Sequence, residues 1–334
     1  MATGKYSDFN IIEEQFYGGM NDVIARNTAA FNGASNNAIR LVGRGAIGNF
    51  MEESFFTQMS GLVSRRDITS VSAATDIAFA SDVQKYVKVN RKLGPVANTL
   101  DSLRKIGINS ERMSFFVGQQ AGQAKLVDWL DTLLVSGVTA LAKTTSGGPS
   151  GNGSFLDKSS SASNTMQYSY LIDGLALFGD AGNDIAAWVM HSKAFYDLMK
   201  TNVSVATDRV AGATIYEGTA GTLGRPVIVT DSAKLINTDG ITSGTDSYYT
   251  LGLTANGLVA FDSEEDIIVD DIVTGTENLI YRIQGEHAYN IQVKGLSYTN
   301  TGVNPADSAL ATAGNWTLKM TSVKSTGGFV IEHA

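Results

Sequence analysis

Three histidines, His191, His287 and His333, are the side chains of this sequence whose ordinary pKa lies close to neutrality, and there is no cysteine to join them. Zinc sites need His and Cys ligands at short, characteristic spacing, and no such pattern can be written here. His191 follows the apolar run IAAWVM and reads as a structural hydrogen-bonding group at the end of a buried strand. The densest carboxylates are Asp262, Glu264, Glu265, Asp266, Asp270 and Asp271 in DSEEDIIVDD. They lack the central glycine and terminal glutamate of a calcium loop and read as a solvated acidic face. Gly147, Gly148, Gly151 and Gly153 come after a helical run rather than a strand, with no Lys-Ser or Lys-Thr behind them, so they do not form a phosphate loop. There is no Gly-x-Ser-x-Gly elbow for a Ser-His-Asp arrangement.

Charge of the opposite sign gathers in VQKYVKVNRKLG, where Lys85, Lys88, Arg91 and Lys92 form a basic run with no acid among them. One reading is a solvated strand face that discourages edge pairing. The other is an arm that docks on an acidic surface of a neighbouring subunit. On that second reading Lys85, Lys88, Arg91, Lys92, Glu264, Glu265 and Asp266 are the candidate inter-subunit contacts. No catalytic, cofactor-binding or metal-binding residue is expected.

The element that must position these groups is SERMSFFVGQQAGQAKLVDWLDTLLVSGVTALAK, residues 110–143. Val127, Leu130, Leu134, Val138 and Leu141 recur at steps of three and four, the spacing of one face of an α-helix. At 1.5 Å per residue such a helix runs roughly 50 Å. Gly118, Gly122 and Gly137 each weaken it by about 1 kcal/mol relative to alanine, so tertiary packing has to hold it.

The chain of 334 residues, 43% of them hydrophobic, can fill a sizeable core. Without cysteine, that core is held by packing and by neighbouring subunits rather than by disulfides. Thirty-five glycines against four prolines suit turns and bulges, and the composition leans to α+β. The N-terminus, MATGKYSDFNIIEEQ, lacks the charged start and apolar run of a secretory signal, and no run reaches the length of a membrane span. A net charge of −8 repels a phosphate backbone, which argues against sequence-specific nucleic-acid binding.

Taken in order, residues 1–62 carry few apolar anchors and read as an arm lying on something else, with Phe50, Phe55, Phe56 and Met59 packing as a short helix at its end. Residues 63–103 read as a long, largely exposed hairpin, its strands ITSVSAATDIAFAS and VQKYVKVNRKLG. The helix occupies 104–146. Residues 147–278 read as an α/β unit: a Gly/Ser-rich loop, a helix in MQYSYLIDGLALFGD, a strand in IAAWVMH, a helix in SKAFYDLMKTN and a strand in GRPVIVTDS. SYYTLGLTANGLVAFDS reads as a hairpin turning at Asn256-Gly257. Residues 279–334 supply closing strands and a short helix at ADSALA.

This order resembles the major capsid proteins of tailed bacteriophages, which share the Hong Kong 97 fold. DSLRKIGINSERMSFFVGQQAGQAKLVDWLDTLLVSGVTALAK is similar to the family's spine helix and its entry. GDAGNDIAAWVMHSKAFYDLMK is similar to its helix-strand-helix passage in the axial domain, and GLSYTNTGVNPADSALATAGNWTLKM to coat-protein termini. The length and cysteine-free composition look closest to the epsilon15-like short-tailed phages.

The resemblance implies an α+β Hong Kong 97-type capsid fold with an N-terminal arm, an extended hairpin (E-loop), a spine helix in a peripheral domain and an inserted axial domain. It further implies a non-enzymatic major capsid protein that self-assembles as pentamers and hexamers into an icosahedral shell around double-stranded DNA. Scaffolding, portal and cement or decoration proteins would be its partners, with assembly in the host cytoplasm and no membrane. The family's crosslinking trio of Lys, Asn and Glu has no match here. The rivals are an encapsulin-like nanocompartment shell and a soluble hydrolase built on Asp180, Asp184 and His191.

Overall fold

The structure, a computed structural model, describes residues 13–43, 50–56, 63, 65, 68–69, 76–78, 81–99, 110–142, 153–159, 164–199, 206–210, 213–216, 222–238, 246–264, 266–275, 277–320 and 322–334. Helix α1 (Glu13–Ala34) leads to β1 (Ile39–Val42), β2 (Phe50–Phe56), β3 (Ser81–Thr99) and the long helix α2 (Ser110–Ala142). Next come β4 (Phe155–Asp157), α3 (Tyr168–Phe178), β5 (Ile185–Met190), α4 (Ser192–Met199), β6 (Ala206–Val210), β7 (Ala213–Tyr216), β8 (Val227–Thr230) and β9 (Ile236–Asn237). The chain ends through β10 (Ser247–Thr254), β11 (Leu258–Asp262), β12 (Ile267–Val273), β13 (Ile280–Val293), β14 (Leu296–Tyr298), α5 (Asp307–Leu310), β15 (Trp316–Leu318) and β16 (Gly328–His333).

These strands form two sheets. In the first, β13 is the central strand: β3 lies on one side of it, β11 and β12 share the other, β2 extends the sheet beyond β3, and β1 lies beyond β11. In the second, the order is β4-β16-β10-β5-β8-β7-β6. Alternate residues of β5 face opposite ways. Ala187 and Val189 join the core that contains α2, while Trp188 and Met190 join a second core with Leu171 and Phe178 of α3 and Phe195 of α4. A strand covered on both faces has to read as a continuous apolar run, as IAAWVM does.

Helix α2 is shared by both sheets. Its Leu126, Trp129, Leu130, Leu133, Leu134, Val138 and Leu141 lie in one core with Val87, Tyr289 and Ile291 of the first sheet and Val189, Leu251 and Val330 of the second. Apolar residues nearly all round a helix mark a buried one. Val127, expected on the apolar face, is exposed, because that face is centred on Leu126, Leu130 and Leu134.

Several expectations need correcting. The segment read as an arm with too few anchors contains α1, whose Phe16, Met20, Val23 and Phe31 are buried, and β1, which pairs in parallel with β11. The anchors are sparse, but they share a face. Glycines let the two helix backbones touch there: a Cβ on Gly19 would lie 2.4 Å from the carbonyl oxygen of Phe115, and one on Gly118 2.2 Å from that of Phe16.

Residues 50–56 are a strand rather than a helix, and Phe56 is 80% exposed. The hairpin partner of β3 is this β2, from Phe56 opposite Ser81 to Phe50 opposite Val87. ITSVSAATDIAFAS falls mostly outside the described residues. Far from being largely exposed, β3 buries Tyr86, Val87, Lys88 and Val89 because it lies between β2 and β13.

Asn256-Gly257 turns the chain as expected, with Asn256 at φ 54°, but β10 and β11 do not pair. The turn carries the chain from the second sheet to the first. β11 and β12 therefore belong with β13 rather than with the α/β unit, and β16 closes the second sheet between β4 and β10 rather than the first.

The neighbouring glycines of α1 provide a test. Gly18 is exposed, with nothing within 4 Å of an added Cβ. Gly18→Ala should raise stability by about 0.5–1 kcal/mol. Gly19→Ala should lower it by about 1–3 kcal/mol through overpacking against α2. Denaturant midpoints that move in the same direction for both would contradict the close α1–α2 contact.

Candidate functional site

The charged groups singled out in the sequence converge where the middle of α2 lies on the first sheet. Lys125, Asp128 and Thr132 are spaced i, i+3 and i+7, so one helix face carries all three. Across from them stand Arg91 of β3, His287 and Tyr289 of β13, the β11–β12 turn and Asp307 of α5.

Lys125 is wholly buried. Its Nζ donates to both Asp266 carboxylate oxygens at 2.8 Å, lies 3.3–3.4 Å from those of Asp262, and sits 5.2 Å from the centre of the Trp129 ring. The same Asp266 is anchored through its backbone. Its carbonyl accepts from Tyr17 Oη of α1 at 2.8 Å, and that hydroxyl accepts from the Ile268 N–H at 3.0 Å. Two helices and the start of β12 are thereby tied together.

Arg91 donates to Asp128 at 3.0 Å, to Thr132 Oγ1 at 3.2 Å and to Asp307 at 2.7 Å. Tyr289 donates to Asp128 at 2.6 Å, and its oxygen lies 2.9 Å from Thr132 Oγ1. Burial, reinforced by the Asp128 carboxylate, holds the Tyr289 phenol well above its ordinary pKa. Between the two groups sits His287, stacked on Tyr289 with ring centres 6.2 Å apart and its buried Nε2 without a hydrogen-bond partner. Burial first, then the charge of Lys125, lowers its pKa to about 4.

Four of the residues singled out as candidate contacts with a neighbour have partners within their own chain. Lys88 pairs with Glu264, Arg91 with Asp128 and Asp307, and Asp266 with Lys125, all within one chain. Lys88 is buried on β3, so its ammonium has to be met locally. Lys85 lies half-buried opposite Glu52, and Lys92 is exposed opposite Glu286. Glu265 lies outside the described residues. The acidic turn is thus partly a cap over buried cations rather than a wholly solvated face.

Sequence reasoning missed Lys125 and Asp128. The signal was available: two charges on the face of AKLVDWLDTLL that otherwise reads as core.

The hydrolase trio is not assembled. Asp184 immediately precedes β5 and His191 immediately follows it, which separates them by roughly 20 Å of extended chain. Asp180 pairs with Lys324, and His191 accepts the Lys193 N–H at 3.2 Å while lying 3.8 Å from Asp231. Among the described residues, no group of three His, Cys, Asp or Glu is placed to hold a metal ion, and no helix is long and apolar enough to cross a membrane.

A family model described as Gp13-like, major capsid protein 13-like, matches residues 8–330. Among solved structures, the chain is similar to one from Mycobacterium phage Cain at 10% identity and TM-score 0.53, covering 89% of this chain and 88% of that one. It is similar to one from Microbacterium phage Oxtober96 at 11% identity and TM-score 0.51, covering 89% and 90%, and to the capsid of Ralstonia phage GP4 at 11% and 0.51, covering 90% and 87%. At these identities the likeness is one of fold. No curated protein sequence matches the chain.

His287 and His333 give the joint and the second sheet a defined acid response. Burial lowers both to about 4, and the His333 ring Nε2 lies 3.0 Å from Thr250 Oγ1. Between the unfolded value near 6.5 and the folded value, only the unfolded chain binds these protons, so stability is full above pH 6.5 and falls as pH drops toward 4. His287→Gln should flatten about half of that decline in pH-dependent denaturation of the subunit. An unchanged slope would show that His287 is not buried as described.

Proposed function

The chain belongs to the Gp13-like family of major capsid proteins, and from that premise we propose that this phage shell subunit closes as pentamers and hexamers around packaged double-stranded DNA. Phage capsid folds cover nearly its whole length, and its role in the virion is structural. The observation that supports the assembly reading most directly is apolar exposure at Phe56, the last residue of β2, and at Val63 and Ile68, which follow it in the sequence. Phe56, Val63 and Ile68 are 80%, 95% and 83% exposed. Exposed apolar side chains of that size are a liability for a lone subunit and an asset for one that meets neighbours.

The net charge of −8 suits a container for a polyanion. A wall of like sign does not hold the genome tightly, so DNA can be driven in and released. Portal and scaffolding proteins, and cement or decoration proteins on the outside, are its expected partners, and assembly takes place in the host cytoplasm. The subunit acts without catalysis. The family assignment favours a phage shell over a cargo nanocompartment of the same fold.

Negative-stain microscopy of the expressed chain, alone and with the neighbouring structural proteins of its phage, should show closed shells. A species that stays monomeric by light scattering under all of these conditions would overturn the assignment of self-assembly.

A further inference from the structure

Among the described elements, the chain passes between the two sheets three times: along α2 to β4, through the β10–β11 turn, and from β15 to β16. The last two passages meet in a closed set of backbone hydrogen bonds. The N–H of Gly257 donates to the Thr254 carbonyl at 2.9 Å, that of Thr254 to Gly327 at 2.9 Å, that of Gly327 to Lys294 at 2.9 Å, and that of Lys294 back to Gly257 at 3.0 Å. Each of these residues gives both its N–H and its carbonyl, so the bonds form a ring. The remaining passage lies against it: a Cβ on Gly137 of α2 would be 2.8 Å from Cδ1 of Leu258, the residue that follows Gly257.

The ring joins the ends of two ladders. In the second sheet β10 and β16 pair as far as Leu253 opposite Gly328, and the Thr254–Gly327 bond continues them. In the first sheet Leu258 of β11 lies opposite Val293 of β13, and the Lys294–Gly257 bond continues that pair. The other two bonds tie one ladder to the other.

The place is buried and filled. Thr254, Gly257, Thr326 and Gly327 are all buried, and Thr254 Oγ1 donates to the Thr326 carbonyl at 3.3 Å. A Cβ on Gly257 would stand 2.4 Å from the Gly327 carbonyl oxygen, and one on Gly327 2.6 Å from that of Gly257. The two passages therefore touch backbone to backbone, an approach that glycine permits. Passages that converge on one place would make a pivot if solvent or loose side chains lay between them. Here, turning one sheet against the other would open the ring and leave buried N–H and carbonyl groups without partners.

Resting on the shell reading, we infer that this ring fixes the angle between the two sheets and, through it, the curvature that each copy gives the wall, which makes it a determinant of particle size. Each copy acts as a wedge. In a closed shell the angle within one copy is repeated by symmetry around the wall, so a small change at the ring alters how many copies close it.

Gly257→Ala and Gly327→Ala press on the same contact from opposite sides. In electron microscopy of particles assembled from each full-length chain, both should shift the diameter in the same direction or leave the wall unable to close, with helix content unchanged. Gly18→Ala, on the exposed face of α1, should give the unmodified diameter. Either ring variant closing at the unmodified diameter, or the two shifting in opposite directions, would overturn the inference.

Loss of helix content in both variants passes the decision to particles of the unmodified chain. In a reconstruction of these, the two sheets of every symmetry-independent copy should superpose as one body with the ring intact. Copies in which one sheet has turned against the other would overturn the inference while leaving the shell reading standing. Failure of the unmodified chain to assemble would strike the shell reading itself. The ring is then judged by hydrogen exchange, in which the amides of Thr254, Lys294 and Gly327 should exchange within about tenfold of that of Ile291 in the core, and faster exchange would show a pivot.

Discussion

Everything in this fold turns on burying one helix from two sides while a lysine sits inside it. Apolar contact drives α2 into the shared core but does not choose its rotation, because hydrophobic burial is non-directional. The charged face chooses it. Lys125 has no access to water, so only the α2 orientation that places it between Asp262 and Asp266 is tolerable. Arg91 applies the same constraint one helical turn further along, through Asp128 and Thr132. Removing one partner of such a group leaves a buried charge uncompensated, typically a loss of about 3–5 kcal/mol, whereas the hydrophobic stripe tolerates replacement by similar volumes at far lower cost. Position is set by charge, and adhesion by oil.

That division explains what the sequence disclosed and what it withheld. Periodicity located α2 to within a residue, because a long helix with leucine at i, i+4 and i+8 has few other readings. The run IAAWVM marked β5 as covered on both faces, which it is. The helices of MQYSYLIDGLALF and SKAFYDLM were legible for the same reason. α1 was not, because its four anchors are diluted among asparagine, alanine and glycine, and its stability comes from how closely glycine lets it approach α2 rather than from how much it buries. FMEESFF has the aromatic content of a helix face and the spacing of a strand, and only its pairing with β3 decides between them.

The basic run needs carboxylates, and the chain supplies some of them itself, one from DSEEDIIVDD. Nothing in a linear sequence tells whether a lysine at position 88 meets a glutamate at position 264 of its own chain or of a neighbour, since that depends on how the strands are ordered in the sheet. The Asn-Gly turn illustrates the same limit. Its local chemistry was read correctly, but whether the flanking strands pair with each other or part into two sheets is settled by the rest of the core, through β16 beside β10 and β13 beside β11.

Neutralising the cations of the joint within the chain has a consequence for assembly. Charges buried between α2 and the first sheet are little screened by salt, so the subunit's internal geometry holds across ionic conditions that weaken exposed pairs. What the described surface leaves for neighbours includes exposed apolar side chains such as Phe56, Ile267 and Val269. Contacts between shell subunits that are individually weak release quickly, which lets a misplaced copy leave before a shell closes around it. Once many copies each make two such contacts, leaving requires breaking both at once, and the effective concentration of each partner for the next makes the closed form far more persistent than any single contact. A rigid interior with weak, repeated, apolar edges is therefore what a cysteine-free shell subunit requires: stiffness within the copy fixes the angle between neighbours, and weakness between copies lets that angle be found.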